Sequence, residues 1–282
     1  MSDGLRAFFG GVAVVTGGAS GIGAALSREL ARRGATVVLA DRDGDDARAE
    51  AGRIAAAGGR AEGATLDVRD AAAFDALVGS VLARHGRLDH LFNNAGIGIG
   101  GEARDLGLDD WRSAVEVNLM GVVHGTHAAW GRMIAQGFGH VVNTASMAAF
   151  LAPAMGAPYG ATKYAVLGLS RALRAEGAGL GVRVSALCPG VVRTPILDGG
   201  GRHGRVPETL PPALQKRLWE RLRPMDPDAF ARRALDDVLR NRGVIVHPAW
   251  WRALRLLNGV APSLVEAIAR REIERVRREL GR

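Results

Sequence analysis

Tyr159 and Lys163 stand four residues apart in Pro158-Tyr-Gly-Ala-Thr-Lys-Tyr-Ala-Val-Leu-Gly-Leu-Ser170. On a helix, residues i and i+4 share a face, so the phenol and the ammonium point the same way. An ammonium favours the phenolate and draws the tyrosine below its free pKa of ~10, which makes the pair a general acid/base device. The chain has only two tyrosines, and it uses arginine for nearly every positive charge, with lysine at 163 and 216 alone. Arginine cannot offer a compact, tunable ammonium, which is a chemical reason for a lysine here. A second group of residues suits phosphate. Thr16-Gly-Gly-Ala-Ser-Gly-Ile-Gly23 follows a short apolar run and precedes a helical pattern. Glycines at such a turn let backbone approach a phosphate, and the helix start offers free N–H donors.

The elements that position these residues alternate. Strand-like runs are read at 12–16, 36–40, 61–66, 88–93, 140–144, 182–188 and 244–246, with helical patterns between them. A long helix is expected from about Asp109 to Gln136, and the Tyr159 helix to about Ala178. Strands separated by helices imply right-handed crossovers and a parallel sheet covered on both faces. The fold class expected is α/β, a doubly wound parallel-sheet Rossmann fold, with one domain over residues 1–246 and a helical extension over 247–282. A Gly- and Pro-rich segment at about 194–222 is expected to be a mobile substrate loop. Asp41 ends the second strand, 18 residues after Gly23, where a carboxylate can accept from a ribose 2′-hydroxyl and repel a 2′-phosphate. NAD is therefore the expected cofactor. Arg42 keeps NADP as the alternative.

In order along the chain, these motifs resemble the short-chain dehydrogenase/reductase family over about Val12 to Pro195, nearly two-thirds of the sequence. Gly17, Ser20, Gly21, Ile22 and Gly23 fall on the family's cofactor loop, with Asp41 and Arg42 at the ribose. Asp67-Val68 resembles its adenine contact. Asn93-Asn94-Ala95-Gly96 resembles its motif after the fourth strand, and Pro189, Gly190, Val192 and Thr194 the segment at the nicotinamide end. The resemblance implies a tetrad of Asn118, Ser146, Tyr159 and Lys163. Tyr159 would exchange a proton with the substrate oxygen, while Lys163 lowers its pKa and holds the nicotinamide ribose. Ser146 would hydrogen-bond the same oxygen. Asn118 would hold a relay water where the long helix is locally distorted. A dimer or tetramer is implied as well, through the helices of Asn118 and Tyr159.

Composition narrows the rest. A chain of 282 residues needs no disulfide to support its core, and the single cysteine, Cys188, reads as a small core hydrophobe. Half of the +8 net charge lies in the last 31 residues, where eight arginines face four glutamates. No nucleic-acid motif accompanies that charge, and a solvated helix face accounts for it. His124 and His127 have a ligand-like spacing but no cysteine or acidic partner, so no metal is expected. With no basic and apolar leader and no run of ~20 apolar residues, the protein is expected to be soluble and cytoplasmic.

Residues 147–158, Ile97, Ile99, Ile196 and Leu197 are apolar and point to a lipophilic secondary alcohol or ketone. The reading is an NAD-dependent oxidoreductase, with an NADPH-preferring carbonyl reductase and a non-catalytic nucleotide sensor or scaffold as alternatives. In the extension, Trp250, Leu254 and Leu257 recur at helical spacing. Packing on the body or a subunit is the reading for this helix. A pocket cover and peripheral membrane contact through 248–258 are the less favoured ones.

Overall fold

The computed structural model describes residues 8–151, 153–207 and 210–281. The first seven residues of the expected domain, Ala152 of the apolar segment, residues 208 and 209 of the substrate loop and the final Arg282 lie outside them.

Apolar, β-branched runs become strands because both of their faces are covered. β1 (Val12–Thr16) is buried along its whole length, and β2 (Thr36–Asp41) is buried except at its ends. β3 (Arg60–Thr65), β4 (His90–Asn93), β5 (Gly139–Thr144), β6 (Val182–Pro189) and β7 (Val244–His247) complete a seven-stranded sheet of order β3-β2-β1-β4-β5-β6-β7. Every pairing is parallel. β1 pairs with β2 on one side and β4 on the other, so the chain reverses its direction of travel there and opens a crevice at the strands' C-terminal ends.

α1 (Gly21–Arg32), α2 (Gly44–Ala56) and α9 (Pro227–Leu239) cover one face, and their cluster includes the fully buried Leu26, Leu39, Phe92 and Phe230. Phe74 of α3 (Ala71–His85) and Met133 of α5 (Gly121–Gln136) fill the other. Truncating a buried phenylalanine such as Phe92 to alanine should cost ~3–5 kcal/mol, through lost transfer energy and the cavity left behind. Cys188 is fully buried, and burial pushes its thiol up to about 12, as suits a core residue. After the short α6 (Ala148–Leu151), α7 (Ala157–Glu176) carries Pro158 in its first turn, where a missing N–H costs nothing.

The long helix expected at 109–136 is divided. α4 (Leu108–Val115) passes through a π-helical turn at Glu116–Met120 into α5. The Gly- and Pro-rich segment has defined partners. Gly98 donates to the Gly200 carbonyl at 2.9 Å, and Arg205 N–H to the Gly98 carbonyl at 2.9 Å. Part of the expected loop is helix α8 (Pro212–Arg221), which begins on prolines and buries Leu214.

Beyond β7 come α10 (Trp251–Val260) and α11 (Pro262–Glu279). The expected inward face of α10 is corrected. Trp251 is 6 % exposed and packs inward with Leu254, whereas Trp250 is 44 % exposed. The helix begins at Trp251, so the inward positions run from 251 rather than 250. No helix among the described residues is long and apolar enough to cross a membrane.

Candidate active site

The residues singled out above lie at the C-terminal ends of β1 to β6 or on the turns and helices that follow them. Thr16 closes β1, and its hydroxyl accepts the N–H groups of Asn94 (2.9 Å) and Ala95 (3.0 Å). Asn94 in turn donates to the Thr16 carbonyl at 3.1 Å and accepts from the Thr144 hydroxyl at 3.2 Å. Three strand ends are thereby tied edge to edge. Charge-neutral bonds of this kind contribute ~1 kcal/mol each, but a buried partner left unpaired costs more, so the network holds as a unit.

The glycine turn fits a pyrophosphate. Gly17 has φ +62°, and a Cβ on Gly23 would overlap the Gly17 carbonyl. The Ser20 side chain makes no capping bond and no acid occupies the first turn of α1, so its N–H groups face outward uncapped. The Thr194 side chain lies against Gly21, bringing the segment after β6 onto the same turn. Asp41 faces this loop: its carboxylate accepts from Ala19 N–H at 3.1 Å and Asp43 N–H at 3.2 Å. Arg42 is exposed and, among the described residues, makes no hydrogen bond or ion pair. Asp67 pairs with Arg69 at 2.5 Å, and the hydrogen bonds from that guanidinium hold its carboxyl below the usual range against the opposing effect of burial. The Val68 carbonyl lies 2.9 Å from the Nδ1 of His124, which accounts for that histidine.

Asn118 sits in the π-helical turn and is fully buried. Its Oδ1 accepts from Ile97 N–H at 2.8 Å, and its Nδ2 donates to the Ile97 carbonyl at 3.0 Å. The wider turn spends one backbone register to bring this side chain to the loop after β4. Thr162, on α7, receives a further contact from Nδ2 at 3.4 Å. A Cβ on Gly96 would stand 3.1 Å from the Asn118 Oδ1 and 3.5 Å from the Lys163 Nζ, so glycine keeps the gap between them open.

Ser146 follows β5, and its Oγ accepts from Ala148 N–H at 3.1 Å. Lys163 is 3 % exposed and donates to the Thr144 carbonyl at 2.8 Å. Burial brings its ammonium down to about 8. The expected pull of Lys163 on the tyrosine is not the leading influence. Burial raises the Tyr159 phenol, and nearby Ser146 opposes that shift. The geometry explains this: Nζ turns to the Thr144 carbonyl and lies 5.5 Å from the Tyr159 ring centroid.

Pro189 ends β6, and Gly190 follows it. The Pro189 carbonyl accepts from Met147 N–H at 2.9 Å, joining this segment to the Ser146 turn. Val192 is buried and bridges to Met225. The apolar cluster beside the site gathers Met147, Phe150, Leu151 and Leu197. To these it adds Trp219 and Trp251, which the sequence reading did not assign to the site. Thr16, Thr144 and Thr162 were also missed, because a threonine at a strand or helix end carries no distinguishing signal by itself. A crevice of ≈ 640 Å³ at the opposite end of the sheet, bordered by His90, His140 and Arg174, includes none of these residues.

Comparison with known proteins bears on the family. The family model described as short chain dehydrogenase matches residues 11–202. D-threitol dehydrogenase of Mycolicibacterium smegmatis is 41 % identical over 185 residues, covering 66 % of this chain and 71 % of that protein. The 1-deoxy-11-beta-hydroxypentalenate dehydrogenase of Streptomyces exfoliatus is 42 % identical over 190 residues, covering 66 % and 69 %. Among solved structures, a short-chain dehydrogenase/reductase from Burkholderia phymatum in complex with NAD superposes with a TM-score of 0.82 at 32 % identity, over 91 % of this chain and 95 % of that one. A candidate NAD(P)-dependent gluconate 5-dehydrogenase from Beutenbergia cavernae, with NADP bound at low occupancy, superposes at 0.76 and 32 % identity, over 87 % and 98 %. With the glycine turn, the Asn94 network and the Tyr159–Lys163 helix placed around one crevice of a parallel sheet, the chain belongs to the short-chain dehydrogenase family of oxidoreductases.

Proposed function

We propose that the protein interconverts a lipophilic secondary alcohol and the matching ketone with NAD(H), using Tyr159 as the general acid/base. The observation that carries this reading is the convergence of Asn118, Ser146, Tyr159 and Lys163 beside the glycine turn at the sheet's switch point. The uncapped start of α1 would hold the pyrophosphate, Asp41 the adenosine ribose, and Pro189 to Thr194 the nicotinamide end. A bound nicotinamide dinucleotide supplies or accepts the hydride.

The chain's own residues manage the proton. Burial keeps the Tyr159 phenol protonated at neutral pH, so in the reducing direction it enters as the acid and donates to the ketone oxygen. Ser146 donates to the same oxygen and stabilises charge as it develops. In the oxidising direction Tyr159 must accept a proton, and the nearby Lys163 ammonium favours the phenolate that does so. Asn118, anchored by both bonds to Ile97, keeps the π-helical turn open beside Lys163 for a relay water.

The preference for a lipophilic substrate rests on Met147, Phe150, Leu151, Leu197 and Trp219 beside Ser146. Preference for NAD rests on Asp41. The exposed Arg42, which makes no hydrogen bond or ion pair among the described residues, supports NADPH as the second reading, since it could meet a 2′-phosphate. Self-association is supported by Val115, Met120 and Tyr164, which remain 42 %, 37 % and 43 % exposed on α4, the π-helical turn and α7. The test is a panel of aliphatic, cyclic and polyhydroxy alcohols and ketones with each of NAD(H) and NADP(H). The reading predicts turnover of cyclic or long-chain secondary alcohols with NAD. Turnover restricted to polyols, or to the phosphorylated cofactor, would contradict it.

A further inference from the structure

In the C-terminal extension, Trp251 packs against the turn that follows β6. Trp251 is 6 % exposed, although it opens a helix that is largely solvent-facing. It belongs to the apolar cluster that also holds Met147, Cys188, Val191 and Val246. A Cβ on Gly190 would overlap this ring at Nε1 and Cδ1, so the indole lies directly on the backbone of the turn that ends β6. On its other side the same turn is held by the extension's lead-in, since Gly190 N–H donates to the His247 carbonyl at 2.9 Å. Trp250 stacks on Trp251, with ring centroids 4.3 Å apart and planes 27° apart, and braces it from outside.

The indole N–H has no acceptor among the described residues. A buried donor without a partner costs free energy, so this ring is held in place by its shape rather than by a hydrogen bond. That shape has a use. Side chains beside a binding turn fix its position to a fraction of an ångström when packing locks them, and a loosened support misplaces what the turn carries.

We propose that Trp251 is a positioning residue for the nicotinamide end: its ring sets the height of Gly190 and thereby of the turn from Pro189 to Thr194. This rests on the reading of that turn as the nicotinamide support. An extension outside the matched residues 11–202 would then act on cofactor geometry directly.

The experiment compares binding of NADH and of ADP-ribose, which lacks the nicotinamide, to the full chain and its Trp251→Ala and Trp251→Phe variants. For Trp251→Ala the expected result is an NADH Kd raised about tenfold, equivalent to ~1.4 kcal/mol, with the ADP-ribose Kd unchanged. Trp251→Phe, which keeps a ring against Gly190, should retain most of the NADH affinity. In the Trp251→Ala background, Gly190→Ala should also cost less NADH affinity than it does in the parent. An unchanged NADH Kd in Trp251→Ala, an equal loss for both ligands, or a phenylalanine variant as weak as alanine would overturn the proposal. Failure of the parent protein to bind either ligand would instead remove the cofactor reading on which it stands.

Discussion

Two regions of the molecule are held together by different physics. On the sheet side, Thr16, Asn118, Thr144 and Lys163 are buried, and each spends its polar atoms on backbone groups or neighbouring side chains at 2.8–3.2 Å. On the outer side, α8 and α11 meet through Arg217–Glu279 and Arg221–Glu272, while Arg277 of α11 reaches Glu102 at 2.7 Å. Most of those partners are well exposed, and solvent-screened pairs contribute little, typically ~0–1 kcal/mol. The buried network cannot give without leaving a polar group unpaired in low dielectric, whereas the outer pairs can exchange for water. Every residue proposed above to manage the proton therefore belongs with the stiff region.

The contrast can be broken from either side. Apart from loss of the Tyr159 phenol itself, the largest effect should come from Ser146→Ala, which removes a donor to the reacting oxygen: turnover should fall ~10²–10³-fold. Steady-state kinetics with dinucleotide titration would show that fall at unchanged cofactor affinity. A loss below tenfold would take Ser146 out of this role.

Lys163 offers a pH test with a definite sign. Its ammonium titrates at about 8 in the folded protein and 10.5 when unfolded. Between those values the unfolded chain holds more protons, so stability rises with pH; below about 8 the burial of charge is a constant cost. Urea denaturation should show the parent gaining up to roughly 3 kcal/mol relative to Lys163→Met across that window. Parallel profiles would contradict the burial account. Asn118→Ala should come next, at ~1–3 kcal/mol, because both polar groups of Ile97 lose their partner in the interior. A midpoint shift in urea reads it, and a change below 0.5 kcal/mol would mean that water replaces the amide.

Arg277→Ala should have the smallest effect on stability, under ~1 kcal/mol, since Glu102 keeps Arg104 at 3.2 Å. A stability loss as large as that of Asn118→Ala would erase the difference between the two sides.

That difference also decided what could be read from the residues alone. Tyr159, Lys163, the glycine turn and Asp41 announce themselves because each role demands one residue type at a fixed spacing. The strand runs of β1, β2 and β6 were legible for the same reason, since burial on both faces permits little but apolar residues. The outer wall was less so. Any arginine could answer Glu102 or Glu279, and nothing local marks Arg277 or Arg217 as the one that does. Trp251 was passed over for Trp250 because a shift of one residue in the helix start rotates the inward face by about 100°. The direction of the Lys163 ammonium was equally hidden, because the Thr144 carbonyl that claims it lies 19 residues away.

The measurement closest to the central claim is turnover and cofactor affinity of Tyr159→Phe, determined on the same preparation with a substrate that the parent protein accepts. Turnover should fall ~10²–10⁴-fold, with the dinucleotide Kd essentially unchanged, because only the phenolic hydroxyl is removed. Turnover within tenfold of the parent would contradict Tyr159 as the general acid/base.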